Sequence, residues 1–335
     1  MTRAQEPAGG PSRAGKVALI GRTNVGKSTL LNAALGLPLA IVSSQPQTTR
    51  HRLLGLVHHG RAQIALLDTP GLHPALRDGR RGPRTVLGRA MTEQARSALS
   101  EADVVVFVCA LPRRPDGELR PHPGDVELLR QVPEKTPVVL AINKIDLVRD
   151  KRALLPLLRA WTAAYPFAAV VPLSALRTDG VRLLLDEIAA LLPEREHPYA
   201  EDELTDRPLR FFAAEYVREP ILEATREEVP HAVAVTIDRL IEPAPPAALS
   251  VAATIHVERP GQKRILIGKG GELVKRIGTR ARERLEALTG RRVHVQLWIR
   301  HSPGWRDRPT ELALLGYGDT VPLAGAAPGG RHEGR

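Results

Sequence analysis

The stretch GRTNVGKST, Gly21 to Thr29, decides the fold. It follows the apolar run KVALIG and opens an amphipathic stretch from Lys27 to Leu37, so it reads as a strand, a glycine turn and a helix. Gly21, Gly26, Lys27 and Ser28 are spaced so that backbone N–H groups converge on phosphate oxygens at a helix N-terminus. Lys27 is then expected to reach the outer phosphates, and the Ser28 hydroxyl to bind Mg²⁺. Arg22, Thr23, Asn24, Val25 and Thr29 complete the loop around a nucleotide.

Three further motifs narrow the ligand. Asp68-Thr69-Pro70-Gly71 ends the strand IALLD, which places Asp68 to hold Mg²⁺ through water and the Gly71 N–H to meet the terminal phosphate. Asn143-Lys144-Ile145-Asp146 ends the run PVVLAIN. A carboxylate at Asp146 accepts from both N1–H and the exocyclic amine of guanine, whereas adenine would strand it; sites of that kind discriminate by roughly 10⁴-fold. Ser174-Ala175-Leu176, after AAVVPL, closes the base pocket by backbone contacts. The expected cofactors are GTP or GDP with Mg²⁺.

Around these motifs, short β-branched runs alternate with longer amphipathic stretches. KVALIG, IALLD, DVVVFVC, PVVLAIN and AAVVPL read as strands; Lys27–Leu37, Glu93–Ser100 and Gly180–Leu192 read as helices. Leu53–Val57 and Gln63–Leu67 are spaced for an antiparallel hairpin. The predicted class is α/β: a P-loop GTPase domain over residues 16–192, with a mixed, mostly parallel sheet and helices on both faces. Residues 193–207, acidic and proline-bearing, read as a linker to a second domain over 208–318. Residues 1–15 and 319–335 read as a disordered leader and tail.

At 335 residues and 43% hydrophobic content, two packed domains are the natural expectation. The single cysteine, Cys109, lies in VVVFVCAL and excludes an internal disulfide framework. No apolar run approaches the ~20 residues that span a bilayer, so a soluble, cytoplasmic chain is expected. The histidines are scattered without metal-ligand spacing.

Net charge is +11, and Arg259 through Arg308 alone holds 14 Lys or Arg against 4 Asp or Glu, a balance of +10. So concentrated a field suits a polyanion, nucleic acid first and an anionic membrane surface second. Within it lies a second glycine loop, Gly268-Lys269-Gly270-Gly271, read as following an apolar strand end at Arg264–Ile267 and opening a helix from Gly271 to Leu288. Leu273, Val274, Ile277, Ala281, Leu285 and Leu288 form its apolar stripe. The loop lacks the Lys-Ser pair of a nucleotide site. A glycine pair admits a nucleic-acid backbone, and flanking Lys263, Arg264, Lys269, Lys275 and Arg276 neutralise its phosphates, which is how a KH module grips about four nucleotides. Trp298 and Trp305 are candidates for base stacking, but the alternating strand around Trp298 favours packing in the core.

The four nucleotide motifs, in this order, resemble the translation-factor-like class of GTPases. That resemblance implies a Mg²⁺-binding threonine in the first switch segment, GlnThrThrArg at 47–50, with Thr49 favoured over Thr48. Leu72 stands where many small GTPases carry a water-orienting glutamine. Asn24 matches a position that, in relatives of this kind, helps hold a potassium ion in place of an arginine finger. The implied catalytic set is Lys27, Thr49, Gly71 and Asn24, with slow intrinsic turnover on the order of 10⁻⁴ to 10⁻² s⁻¹.

IHVERPGQKRILIGKGG, VHVQLWIRHSPGWRD and ELALLGYG, together with QTTRHR and DTPG, resemble the Era family of bacterial GTPases over nearly the whole chain. The resemblance implies an α+β type II KH domain after the GTPase domain. It also implies binding of single-stranded RNA at the 3′ end of 16S ribosomal RNA, a role in rRNA processing and small (30S) subunit biogenesis, and peripheral association with the cytoplasmic face of the cell membrane. A monomer suffices for these roles. The arginine-rich segment 76–84 departs from the family pattern. Two other readings stay open: a GTPase acting on proteins or lipid, and an RNA-binding module whose nucleotide is structural.

Overall fold

The computed structural model describes residues 11–71, 85–111 and 120–317. The central strand β1 (Arg13–Ile20) lies between β3 (Ala62–Asp68) and β4 (Val104–Ala110). With β2 (Leu53–His59), β5 (Val138–Asn143) and β6 (Ala169–Pro172) they form a six-stranded sheet ordered β2-β3-β1-β4-β5-β6. β2 and β3 pair antiparallel through the expected hairpin; the other pairings are parallel.

The apolar runs are nearly continuous because both faces of each strand are covered. Val17 and Leu19 face one way, against Leu30 and Leu31 of α1 (Lys27–Leu35) and Leu184, Leu185 and Ile188 of α5 (Val181–Leu191). Ala18 and Ile20 face the other way, against Ala95 and Leu99 of α2 (Val86–Glu101), Leu128 of α3 (Pro123–Leu129), and Leu157 and Trp161 of α4 (Leu154–Ala164). Cys109 lies in this second layer, where burial pushes its thiol well above its ordinary value and leaves it inert.

The second domain runs α6 (Leu209–Ala224), β7 (Val233–Ile241), β8 (Leu249–Val257), α7 (Pro260–Ile267), α8 (Glu272–Thr289) and β9 (Val293–His301). Its sheet is ordered β7-β8-β9, with β7 antiparallel and β9 parallel to β8. The inner face, Leu249, Val251, Ala253 and Ile255 on β8, packs on Phe212 and Val217 of α6 and Ile277, Ala281 and Leu285 of α8. One apolar cluster runs through both domains: Leu39 and Ile41, beyond α1, join it to α6, where the Tyr216 hydroxyl donates to the Leu39 carbonyl at 3.2 Å. A second seam packs Leu87 and Met91 of α2 against Ala234, Trp305 and Leu312.

Four sequence expectations need correction or refinement. β1 starts at Arg13, inside the segment assigned to the leader, because residues 13–15 pair with Ala62–Ile64 and the Arg13 guanidinium donates to the Ala190 and Leu192 carbonyls at 2.8 Å. Residues 1–10 and 318–335 lie outside the described part. The linker carries no helix yet hugs the first domain: the Leu56 N–H donates to the Leu204 carbonyl (2.9 Å) and Gln63 to the Tyr199 carbonyl (2.8 Å), which covers the open edge of β2.

The apolar piece Arg264–Ile267, expected as a strand end, is the last turn of α7. Pro260 suits a helix's first turn, where no N–H is lost, and the Gln262 carboxamide accepts from the Glu258 and Arg259 N–H groups at 3.0 Å. Leu266, one turn on from Gln262, anchors the helix in the core. Trp298, expected in the core, is 51% exposed, whereas Trp305 is fully buried with its indole N–H donating to the Ala232 carbonyl at 3.1 Å. Alternation along β9 is real; Val293, Val295, Leu297 and Ile299 take the inner parity, so Trp298 points out.

Candidate active site and nucleic-acid interface

The carboxyl ends of β1, β3 and β5 bring the nucleotide motifs to one end of the sheet, where ligands of open α/β sheets sit. The glycines are required by shape. A Cβ on Gly21 would lie 2.2 Å from the Val108 carbonyl oxygen, and one on Gly26, at φ 101°, 2.3 Å from the Asn143 amide nitrogen. Lys27, the first residue of α1, is buried, and its ammonium donates to the Gly21 and Arg22 carbonyls at 3.0 and 2.9 Å. Burial lowers it to about 8 despite the nearby Asp68 and Asp125, so an anion in the loop would restore what desolvation removes.

Ser28, Thr49 and Asp68 converge. The Ser28 hydroxyl donates to Asp68 Oδ2 at 2.6 Å and lies 2.8 Å from the Thr49 hydroxyl, which is itself 3.4 Å from Asp68 Oδ2. Asp68 Oδ1 is buried without a partner, and burial raises that carboxyl above its ordinary value. Three hard oxygen donors and an orphaned carboxylate oxygen fit Mg²⁺. Thr48 is turned away, its hydroxyl donating to the Gln45 carbonyl at 2.7 Å. Thr69 ties β3 to β1 through the Leu19 carbonyl (2.9 Å), and Gly71 lies so close to Thr23 that a Cβ would meet it at 2.8 Å.

Asn143 staples the base pocket. Its side chain donates to the Val25 carbonyl at 2.9 Å and accepts from the Lys144 and Ala175 N–H groups at 2.7 and 2.9 Å. Lys144, in left-handed backbone at φ 68°, reaches the Asn24 carbonyl at 2.7 Å. Asp146 is half-exposed and accepts from the Ser174 hydroxyl at 2.6 Å, a bond that holds its carboxyl below the ordinary range. Ser174 and Ala175 are buried and Leu176 is exposed, as a backbone-lined pocket requires.

Some site residues stand apart. The Arg22 guanidinium is paired with buried Asp125 at 2.7 Å, which leaves its backbone for the loop. Asn24, at φ 61°, donates to the Ser44 carbonyl at 2.8 Å and so joins the phosphate loop to the first switch segment. Leu72 and residues 76–84 lie outside the described residues.

Sequence reading missed what grips that switch segment from the other domain. Arg50, 3% exposed, donates to the Val233 and Pro230 carbonyls at 2.6 and 2.8 Å. Arg218 on α6, 1% exposed, donates to the Thr48 carbonyl at 2.5 Å and pairs with Glu215 at 2.7 Å. The Val42 N–H donates to Glu219 (3.1 Å) and Gln45 to the Thr225 carbonyl (3.2 Å). Partners across the joint, 170 or more residues apart, leave no periodic trace in a sequence.

In the second domain Gly268, Gly270 and Gly271 all have positive φ, and no atom lies within 4 Å of a Cβ built on Gly270 or Gly271. Lys263, Arg264, Lys269, Lys275 and Arg276 are exposed, with no ion pair among the described residues. Beside them a groove of about 590 Å³ runs between α8 and the edge strand β9, lined by Lys275, Gly278, Thr279, Arg282, Gln296 and Leu297 among others. Only the helix side of that groove was visible in the sequence.

The comparisons with known proteins agree with this geometry. The 50S ribosome-binding GTPase family matches residues 16–144 and the KH domain family residues 228–306. GTPase Era of Xanthomonas oryzae pv. oryzae is 43% identical over 308 residues, covering 92% of this chain and 98% of that protein. This chain belongs to the Era family of GTPases. The Era of Stenotrophomonas maltophilia is 42% identical over 307 residues, with the same coverage. Two solved Era structures superpose with a TM-score of 0.83 at 40% identity, covering 91% of this chain and 99% of theirs: an Aquifex aeolicus Era variant bound to GDP and AlF4⁻, and Era in complex with MgGDPNP and nucleotides 1506–1542 of 16S ribosomal RNA. The chain is thus an Era-type P-loop GTP hydrolase followed by a KH domain.

Proposed function

We propose that this GTPase captures single-stranded RNA at the 3′ end of 16S ribosomal RNA in its GTP state and releases it after hydrolysis, acting in rRNA processing and assembly of the small subunit. The carrying observation is the joint between the domains: Thr49, beside Ser28 and Asp68, is followed directly by Arg50, which is hydrogen-bonded into the KH backbone. An Era relative with the same two domains is bound to both MgGDPNP and that RNA segment.

Each group has a defined task. Backbone N–H groups of the loop at 21–28 and the Lys27 ammonium hold the outer phosphates, and Asp146 with the Ala175 backbone selects guanine. Ser28, Thr49 and Asp68 would hold Mg²⁺, whose charge offsets that developing on the phosphoryl oxygens. Thr49 and Gly71 are the groups that answer to the terminal phosphate. Asn24, bonded to the Ser44 carbonyl, stands where a potassium ion would assist; equal hydrolysis rates in sodium and potassium buffers would remove that role. In the KH groove the GKGG backbone approaches the RNA strand and exposed Lys and Arg neutralise its phosphates. The chain is expected to work as a cytoplasmic monomer that visits the inner membrane surface peripherally. No helix among the described residues is long and apolar enough to cross a membrane.

The deciding experiment is crosslinking and sequencing of RNA bound in cells, wild type beside Gly270→Asp, Gly271→Asp. Enrichment at the 3′ end of 16S rRNA, lost in the variant, supports the reading; diffuse RNA unaffected by the variant sinks it.

A further inference from the structure

The joint between the domains holds a cavity of about 260 Å³ that neither the nucleotide motifs nor the KH groove uses. It is walled by His51, which follows the switch segment, by Arg207 and the first turns of α6, by the free edge of β7 and by the turn at Ala313–Tyr317. Ligand pockets run from roughly 300 to 1,000 Å³, so this one suits a ligand of one or two rings. Part of the lining is flat and apolar. His51 stacks on Tyr317 with ring centroids 4.4 Å apart, Phe211 meets His51 edge-on at 5.6 Å, and Leu314 is 82% exposed. An apolar side chain so exposed beside a concave aromatic wall is what the body of a ligand covers.

The rest of the lining is cationic: Arg207, Arg210 and Arg218 stand against one carboxylate, Glu215. Glu215 is committed to Arg218, from which it accepts at 2.8 and 2.7 Å, and burial lowers His51 to about 4, so that ring enters the wall neutral. Arg218 is 1% exposed, and its Nη1 finds no acceptor among the described residues. A buried donor left so is costly, and an anion beside it removes the cost. The sheet edge adds directional groups. Arg50 and Arg210 donate to the Val233 and Ile237 carbonyls on the free edge of β7. Strand parity puts the N–H and carbonyl of Val235, which also lines the cavity, on that edge between them. This charge balance rejects a cation, and the aromatic wall gives a bare ion nothing to bury.

We propose that this cavity is a regulatory site for a small planar anion, an aromatic acid whose rings lie against Phe211 and Leu314 and whose charge meets Arg210 and the β7 edge, and that its occupancy is linked to the bound nucleotide. The linkage follows from the walls. His51 is joined directly to Arg50, Arg218 holds the Thr48 carbonyl, and Thr49 between them lies beside Ser28 and Asp68. A ligand that braces His51 and Arg218 therefore favours the arrangement in which Thr49 sits at the magnesium position, and the GTP state in return favours the ligand. The linkage rests on the reading of the joint given above; binding to the cavity does not.

The probe is anilinonaphthalene sulfonate, a planar anion that fluoresces on entering an apolar site, titrated onto the full chain with GDP and with a nonhydrolysable GTP analogue. Saturable binding is expected, tighter in the GTP state by roughly 5-fold or more, and displaced by naphthoate but not by inorganic phosphate. Arg210→Ala, which removes a cation, and Ala214→Phe, which fills the cavity, should each weaken the dye by roughly 10-fold or more with melting temperature and GDP affinity unchanged. Arg210→Lys should recover part of the loss. No saturable binding to wild type, undiminished binding in both variants, or displacement by phosphate and not by naphthoate would overturn the site. Equal dye affinity in the two nucleotide states would overturn the linkage. RNA enters none of these measurements, so failure here and failure of RNA capture are told apart.

Discussion

The two glycine loops look alike on paper and differ in what requires their glycines. In the loop at 21–28 the demand is internal, since a Cβ on Gly21 or Gly26 would collide with Val108 or Asn143 in the loop's own walls. In the loop at 268–271 a Cβ on Gly268 would meet Leu273 at 2.9 Å, but nothing stands within 4 Å of a Cβ on Gly270 or Gly271. There the positive φ and the approach of an outside strand are the demands. A closed cradle is built for a small ligand that fits inside; an open turn is built for a long ligand that passes by.

Substitutions should break this contrast in a fixed order. Gly26→Ala combines a clash with Asn143 and φ 101°, and is expected to destabilise the first domain by about 2–5 kcal/mol. GDP should no longer raise its melting temperature; an unchanged shift would show that the cradle relaxes. Arg50→Ala strands the buried Val233 and Pro230 carbonyls and should cost about 2–4 kcal/mol. More telling, the ratio of RNA affinities with GDP and with a nonhydrolysable GTP analogue should collapse toward one. A ratio equal to wild type would mean the domains communicate elsewhere.

Gly270→Ala, Gly271→Ala should cost only about 1–2 kcal/mol per residue through left-handed backbone, weakening RNA while leaving GTP binding untouched. The smallest effect concerns the frame of the closed loop. Burial works against the Glu101 charge but is outweighed by hydrogen bonds from Lys16 (2.9 Å), Ser97 (2.7 Å) and Arg52 (2.8 Å), which lower its carboxyl from 4.5 to about 2. A depressed carboxyl stabilises the fold fully above pH 4.5 and loses that contribution as pH falls toward about 2. In Glu101→Gln this part of the acid slope should vanish, with a loss at neutral pH of about 1 kcal/mol or less for so exposed a cluster. An unchanged melting curve down to acid pH would remove the cluster from the frame.

The closed loop was the legible one. Motifs that bind a small ligand are contiguous, and their order along the chain is the order in which strand ends deliver them. The sheet followed from runs such as VVVFVCAL, buried on both faces and hence unbroken. Legibility fell where tertiary packing chose between equal local readings. ILI is too short to show a period, and Pro260 with Gln262 decided for a helix. Parity along β9 was readable in full, since Val293, Val295, Leu297 and Ile299 form one row and His294, Gln296 and Arg300 the other, and Trp298 goes with the polar row despite its apolar ring. Arg50 and Arg218 were silent, since across the joint they donate chiefly to backbone carbonyls and any residue supplies those.

Thr49 and Arg50 are neighbours in sequence, so their Cα atoms are held about 3.8 Å apart. That peptide link is a tether without slack between the cluster of Ser28, Thr49 and Asp68 oxygens and the KH backbone. Inserting one residue there would add up to about 3.5 Å of free travel, as much as a hydrogen bond is long. A hinge elsewhere in the chain can be lengthened and still turn; in this segment an insertion is expected to uncouple the two domains even with every side chain kept.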